Sequence, residues 1–114
     1  MVNTLATSII TDETHNEFSN ALKLIDGTFI QWGLASVTTN ASTSSAFPYK
    51  GESTVRFTEP FVDTPCILTN VRDYAGWWNS AYSSATSSSV VISIGGNQNN
   101  ATKSVDWMAI GRWK

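Results

Sequence analysis

Val105-Asp106-Trp107-Met108-Ala109-Ile110-Gly111-Arg112-Trp113-Lys114 is an aromatic, glycine-bearing stretch that runs to the last residue of the sequence with no polar tail after it. Alternation places Val105, Trp107, Ala109, Gly111 and Trp113 on one face of a strand and Asp106, Met108, Ile110 and Arg112 on the other. Both faces are apolar near the middle, so the strand is expected to be covered on both sides, inside a sheet or at a subunit contact. Upstream, Phe57-Thr58-Glu59-Pro60-Phe61-Val62-Asp63-Thr64-Pro65-Cys66-Ile67 reads as the end of one strand, a proline-bounded corner and the start of another. Turn residues and period-two runs predict strands over 28–36, 53–57, 66–72, 79–86, 89–94 and 104–113. The fold class that follows is all-β, a small antiparallel β-sandwich of about six to eight strands. Trp32 is expected in its core, on the strand after Gly27, where Phe29 alternates out of phase with Ile30 and Trp32.

One segment carries a helical pattern instead. Over 11–25, Thr11 is an N-cap candidate, Asp12 and Glu13 fall in the first turn, Phe18, Leu22 and Ile25 form a stripe, and Gly27 stops the run. A helix of about four turns with so narrow a stripe is marginal alone. It is expected either to lie on the sheet or to bundle with copies of itself. Residues 1–26 are therefore read as an amino-terminal helical, oligomerisation segment and residues 27–114 as the sandwich.

At 114 residues the chain is long enough for one core. Charged residues make up 14% and the net charge is −2, so no basic stripe is available to neutralise nucleic acid or hold an anionic membrane. A single cysteine, Cys66, excludes an internal disulfide and a thiolate metal quartet; following Pro65 at a strand start, it is expected to be a small buried hydrophobe. No signal-peptide pattern and no membrane-spanning run is present, and the chain is expected to be soluble as made.

Three motifs occur in order: Asp26-Gly27-Thr28-Phe29-Ile30-Gln31-Trp32-Gly33, the corner from Phe57 to Ile67, and Trp107-Met108-Ala109-Ile110-Gly111. From about Asp26 to Lys114 the chain resembles the carboxyl-terminal tip domain of bacteriophage tail-fibre and head-fibre virion proteins, a β-sandwich related to the H-type lectins. Its Ala-Ile-Gly-Arg-Trp-Lys ending is similar to fibre proteins of phages and prophages of Gram-positive gut bacteria. The resemblance implies a non-enzymatic domain that binds a host-surface receptor, a glycan or a protein. It also implies assembly as a homotrimer with other virion proteins, and location in a virion put together in the host cytoplasm. A structural virion component for trimerisation or for capsid or tail attachment, with no ligand of its own, is the alternative. H-type lectins with a characterised sugar site carry an aromatic and a basic or imidazole side chain before the final strand. Here that loop is Gly95-Gly96-Asn97-Gln98-Asn99-Asn100, so the family's galactosamine-binding residues do not transfer.

The residues themselves point to two contact segments. In Val71-Arg72-Asp73-Tyr74-Ala75-Gly76-Trp77-Trp78-Asn79, flat rings suit the C–H face of a pyranose while Arg72, Asp73 and Asn79 supply directional hydrogen bonds. Tyr74, Trp77 and Trp78 are the aromatic candidates, although a tryptophan here equally serves a core or a subunit contact. Adjacent residues of an extended chain point oppositely, so one of Trp77 and Trp78 is expected to be buried and the other available. The turn residues Asn97, Gln98 and Asn99 offer uncharged amides to hydroxyl groups, or simply reverse the chain.

Catalytic, metal and cofactor residues are not assigned. His15 and Cys66 lie far apart, no Gly-x-Ser-x-Gly elbow occurs, and the acidic residues are dispersed without a recognisable pair. The chain is also too short for the long β-helix on which tail-spike depolymerases present a polysaccharide groove.

Overall fold

Residues 10–14, 19–44, 47–73 and 78–114 are described by the computed structural model, and among them every regular element is a strand. In chain order these are β1 (Ile10–Thr14), β2 (Ser19–Leu24), β3 (Thr28–Thr38), β4 (Ala41–Ser42), β5 (Tyr49–Arg56), β6 (Cys66–Val71), β7 (Asn79–Ala85), β8 (Ser89–Gly96) and β9 (Thr102–Arg112). They form two antiparallel sheets, β1-β2-β3-β9-β6 and β4-β5-β8-β7. The two sheets enclose one core, to which β3 and β9 contribute Phe29, Val37, Val105, Trp107 and Ala109, and β8 contributes Val90, Ile92 and Ile94.

The six strands expected from residue 28 onward are present, and the segment from Val105 is an interior strand of the larger sheet, hydrogen-bonded to β3 on one side and to the edge strand β6 on the other. The helix over 11–25 is not. Its described residues are β1 and β2, with Glu13 opposite Leu22 and Leu22 opposite Ile30, while Phe18 lies outside the described residues. The Asp26-Gly27 pair that reads as a helix stop is the turn of a β-hairpin. Gly27 takes φ +98° and donates its N–H to the Leu24 carbonyl at 3.0 Å. Asp26 Oδ1 accepts the Thr28 N–H at 2.8 Å. That bond holds the Asp26 carboxyl below its ordinary value. With β1, β2 and the two-residue β4, the described strands number nine rather than six to eight.

Trp32 is a second correction. On β3 the inward phase is Phe29, Gln31, Ala35 and Val37, all buried, whereas Trp32 is half-buried on the opposite face. A glutamine in the core phase disguised which side faces in. Gln31 is fully buried because it ties down the proline corner: its Nε2 donates to the Glu59 carbonyl at 2.8 Å and its Oε1 accepts the Thr58 N–H at 2.9 Å. The corner in turn delivers Phe57 and Phe61 to the core. The rings of Phe29 and Phe61 lie 4.8 Å apart, those of Phe57 and Phe61 5.1 Å edge to face, and those of Phe57 and Trp107 5.9 Å. Separations of this kind favour aromatic pairing beyond the area buried.

The final residues are pinned to the β2–β3 turn. Trp113 donates its backbone N–H to Gly27 O at 2.9 Å and its indole N–H to Leu24 O at 2.7 Å. One side of β9 is buried as expected, but on the other Met108 is 36% exposed. The register carries that apolar row across the sheet: Leu22, Ile30, Ile110 and Cys66 lie side by side, and next to them Trp32, Met108 and Leu68. Cys66, expected to be buried, is exposed on this face because the inward phase of β6 belongs to Ile67.

Candidate functional site

The described residues between β6 and β7, the loop that follows β8 and the segment that follows β3 meet at one end of the sandwich. There the chain leaves β3, crosses to the other sheet at residues 39 and 40, and passes beneath the β8–β9 loop. Thr39 makes this junction. Its hydroxyl donates to Gln98 O at 2.8 Å and accepts the Ala101 N–H at 3.0 Å, while its backbone N–H donates to Ala101 O and its carbonyl accepts the Asn100 N–H, both at 3.0 Å. Asn100 completes the loop at φ 56°, a left-handed conformation that asparagine tolerates. With its backbone held this way, the loop presents Asn97, Gln98 and Asn99 outward, all exposed.

The segment after β6 divides its residues among three surfaces. Arg72 turns to the outer face of the five-stranded sheet, where its Nη2 and Nε donate to the Asp106 carboxylate at 2.8 and 3.0 Å. Asp73 turns into the mouth between the sheets, its side chain 8% exposed, and pairs with Lys103 Nζ at 2.9 Å. The same ammonium sits 4.8 Å from the centroid of the Trp78 ring, a cation–π distance. Trp78 also lies flat against Gly96, where a Cβ would stand 2.5 Å from two ring carbons. Asn79 belongs to the outer face of the four-stranded sheet, opposite Gly95. Tyr74 and Trp77 lie outside the described residues.

Of the nine candidate ligand residues, then, Asp73 and Trp78 are gathered by Lys103, Asn97 to Asn99 crown the adjoining loop, Asn79 stands on the neighbouring face, and Arg72 points away from them. Lys103 is the residue that sequence reasoning missed. It shares the inward phase of β9 with Val105 and Trp107, and a lysine in a core phase at a strand start is the signal that could have exposed it. The end as a whole offers uncharged amides outside and one neutralised Asp–Lys pair within, a surface suited to hydroxyl-rich or peptide ligands rather than to strongly charged ones.

Arg72 holds the Asp106 carboxyl below the usual carboxylate range, chiefly through its hydrogen bonds, with Asn70 assisting. The folded value is thus lower than the unfolded one. The stabilisation is complete above about pH 4 and is lost as the pH falls through the folded value. Both partners are largely solvent-accessible, at 58% and 42%, so the effect is small and screened by salt. Asp106→Asn is expected to lower the melting temperature slightly at neutral pH, with the variant and parent curves converging as the solution is acidified. Parallel curves down to pH 2 would show that this pair is not linked to folding.

No family model and no curated protein matches the chain. Solved structures do match its fold. The N-truncated R2-type pyocin tail fibre aligns with a TM-score of 0.69 at 20% identity over 96% of this chain and 41% of that one. The N-truncated R1-type pyocin tail fibre aligns with a TM-score of 0.69 at 17% identity over 96% of this chain and 91% of that one. The Gp54 tailspike of Acinetobacter baumannii bacteriophage AP22, solved in complex with a capsular saccharide of that bacterium, aligns at 0.53 and 16% identity over 75% of this chain and 17% of that one. This chain therefore spans less than half of the R2-type fibre and under a fifth of the tailspike. It has the tail-fibre carboxyl-terminal fold of the pyocins.

Proposed function

We propose that this chain is the receptor-binding tip domain of a phage or prophage fibre, a non-enzymatic virion component that meets a host-surface glycan. The observation that carries the reading is the fold shared over 96% of the chain with pyocin tail fibres. The exposed amides of Asn97, Gln98 and Asn99, on a loop whose backbone is fixed by Thr39, support it: a fixed loop loses little entropy on binding. So does the saccharide bound to the structurally similar tailspike. The purified chain should adhere to cells of susceptible strains and to their isolated surface polysaccharide without releasing reducing ends. Failure to bind any strain or polysaccharide would sink the receptor reading, and reducing ends would sink the non-enzymatic one.

The apolar outer face of the five-stranded sheet supports self-assembly, and it also favours the alternative of a purely structural virion role. Leu68 is 53% exposed there beside Met108 and Cys66, an unusual concentration of apolar side chains for a solvated face. On our reading three copies bury this face, β9 lies near the three-fold axis, and three weak sugar contacts act together with an avidity gain of roughly 10² to 10⁴. Light scattering is expected to give three times the 12.4 kDa chain mass, and Leu68→Glu to give the single chain with its strand content intact. A parent protein that stays monomeric at micromolar concentration would refute this assembly.

A further inference from the structure

We infer that the outer face of the four-stranded sheet holds a binding subsite for one neutral sugar ring, built on Lys50, Glu52 and Asn79; this rests on the glycan-receptor reading above and gives it a location. The register sets Lys50, Gly95 and Asn79 side by side, with Glu52, Ser93 and Ala81 in the next row. Glycine, serine and alanine thus make a low floor between longer side chains on both flanks. The result is a shallow groove of about 230 Å³ that Phe47 also lines. Drug-sized sites run from roughly 300 to 1,000 Å³, so this one suits a single ring of a longer sugar chain. Gly95 is what brings the walls together: a Cβ there would stand 2.7 Å from Asn79 Oδ1 and 3.1 Å from Phe47 Cβ.

The chemistry of the walls selects the ligand. The described ion pairs are Lys23–Glu59, Arg72–Asp106 and Lys103–Asp73, and neither Lys50 nor Glu52 takes part in one. Both are exposed, two residues apart on the same face of β5. Lys50 can donate to a hydroxyl oxygen, Glu52 can accept a hydroxyl proton, and the Asn79 carboxamide can do either. A polyanion would meet Glu52 and a cation would meet Lys50, whereas a polyhydroxylated ring satisfies both charges at once. Ala81, exposed on the floor, leaves apolar surface for its C–H face.

The test uses the full chain, labelled with nitrogen-15 and titrated separately with glucose, galactose, N-acetylglucosamine and N-acetylgalactosamine to tens of millimolar, beside a cell-binding assay on the same protein. At least one sugar is expected to shift the amides of residues 50–52, 79–81 and 93–95. Glu52→Gln and Asn79→Ala should each weaken that sugar by about tenfold, and Ser93→Trp should fill the groove and abolish the shifts. These variants are on a solvent-facing surface, and an unchanged dispersion of the remaining amides verifies that each is folded. Cell binding with shifts elsewhere, or with none, overturns the subsite alone. Absence of cell binding as well overturns the receptor reading on which it stands.

Discussion

Phe29→Ala is expected to lower the unfolding free energy by about 3–5 kcal/mol, the range for emptying a large core position. Phe29 is 0% exposed, packs tilted at 4.8 Å against Phe61, and through it joins Phe57 and Trp107 in one aromatic chain linking the five-stranded sheet to the proline corner. Phe61 also abuts Gly111, where a Cβ would lie 2.8 Å from its ring, so the neighbours are too tightly seated to collapse into the gap. With total stabilities of roughly 5–15 kcal/mol, the loss is a large fraction of what holds the chain folded. The melting temperature should fall on the order of 15 °C. The urea midpoint should drop with little change in slope, measured at several protein concentrations because any assembly adds its own stabilisation. Trp32→Ala, on the outer face, should cost less; a ranking in the opposite order would mean that the phase of β3 is wrongly assigned.

That ranking reverses what the sequence alone leads one to expect, for a physical reason. Period-two alternation tells which residues share a face and not which face is buried. On β3, Ile30, Trp32 and Leu34 make the richer apolar row, while the buried row contains Gln31. Only the corner at Glu59, distant in sequence, explains why a glutamine belongs inside. The same limit produced the helix expectation. Spacings of three and four among Phe18, Leu22 and Ile25 fit a stripe, but Asp26-Gly27 followed by Thr28-Phe29-Ile30 is also a hairpin turn entering a strand, and pairing with β3 decides between them. Where one face alone is apolar or turn residues bracket the run, as from β6 to β9, strand positions were legible to within a few residues.

The candidate site was legible as a region and not as an arrangement. Asp73 and Trp78 were recognisable as chemistry-bearing residues, but the cation between them arrives from β9, some twenty-five residues later in the chain. Thr39, which fixes the β8–β9 loop, sits near the start of a run of Thr, Ser, Ala and Asn whose composition carries no sign of such a role. Long-range hydrogen bonding of one hydroxyl is invisible to composition. The grouping of Lys50, Glu52 and Asn79 likewise depends on which strands neighbour β8, a property of topology.

Gly51→Ala is expected to destabilise the chain by about 3 kcal/mol or more, at the upper end of overpacking, because the collision is with backbone. A Cβ at Gly51 would overlap the Thr38 carbonyl oxygen, with the carbonyl carbon at 2.6 Å and Thr39 N at 2.9 Å. None of these atoms has room to retreat. Thr38 is paired with Thr102 in the β3–β9 ladder, Thr39 N–H is bonded to Ala101 O at 3.0 Å, and Asn40 N–H to Lys50 O at 2.9 Å. The glycine is therefore required by close approach where the chain passes from one sheet to the other. Relief would have to move Thr39, and with it the loop that Thr39 holds. Calorimetry should show the loss in stability, and at temperatures where the variant is still folded the amides of Asn97, Gln98 and Asn99 should shift although they are far from residue 51 in sequence. Ser53→Ala, the next position on the same side of β5, serves as the comparison and is expected to cost about 1 kcal/mol or less. A Gly51→Ala protein melting within a few degrees of the parent would refute the close approach. One that is destabilised with an unmoved loop would refute the link between the sheet crossing and the β8–β9 loop.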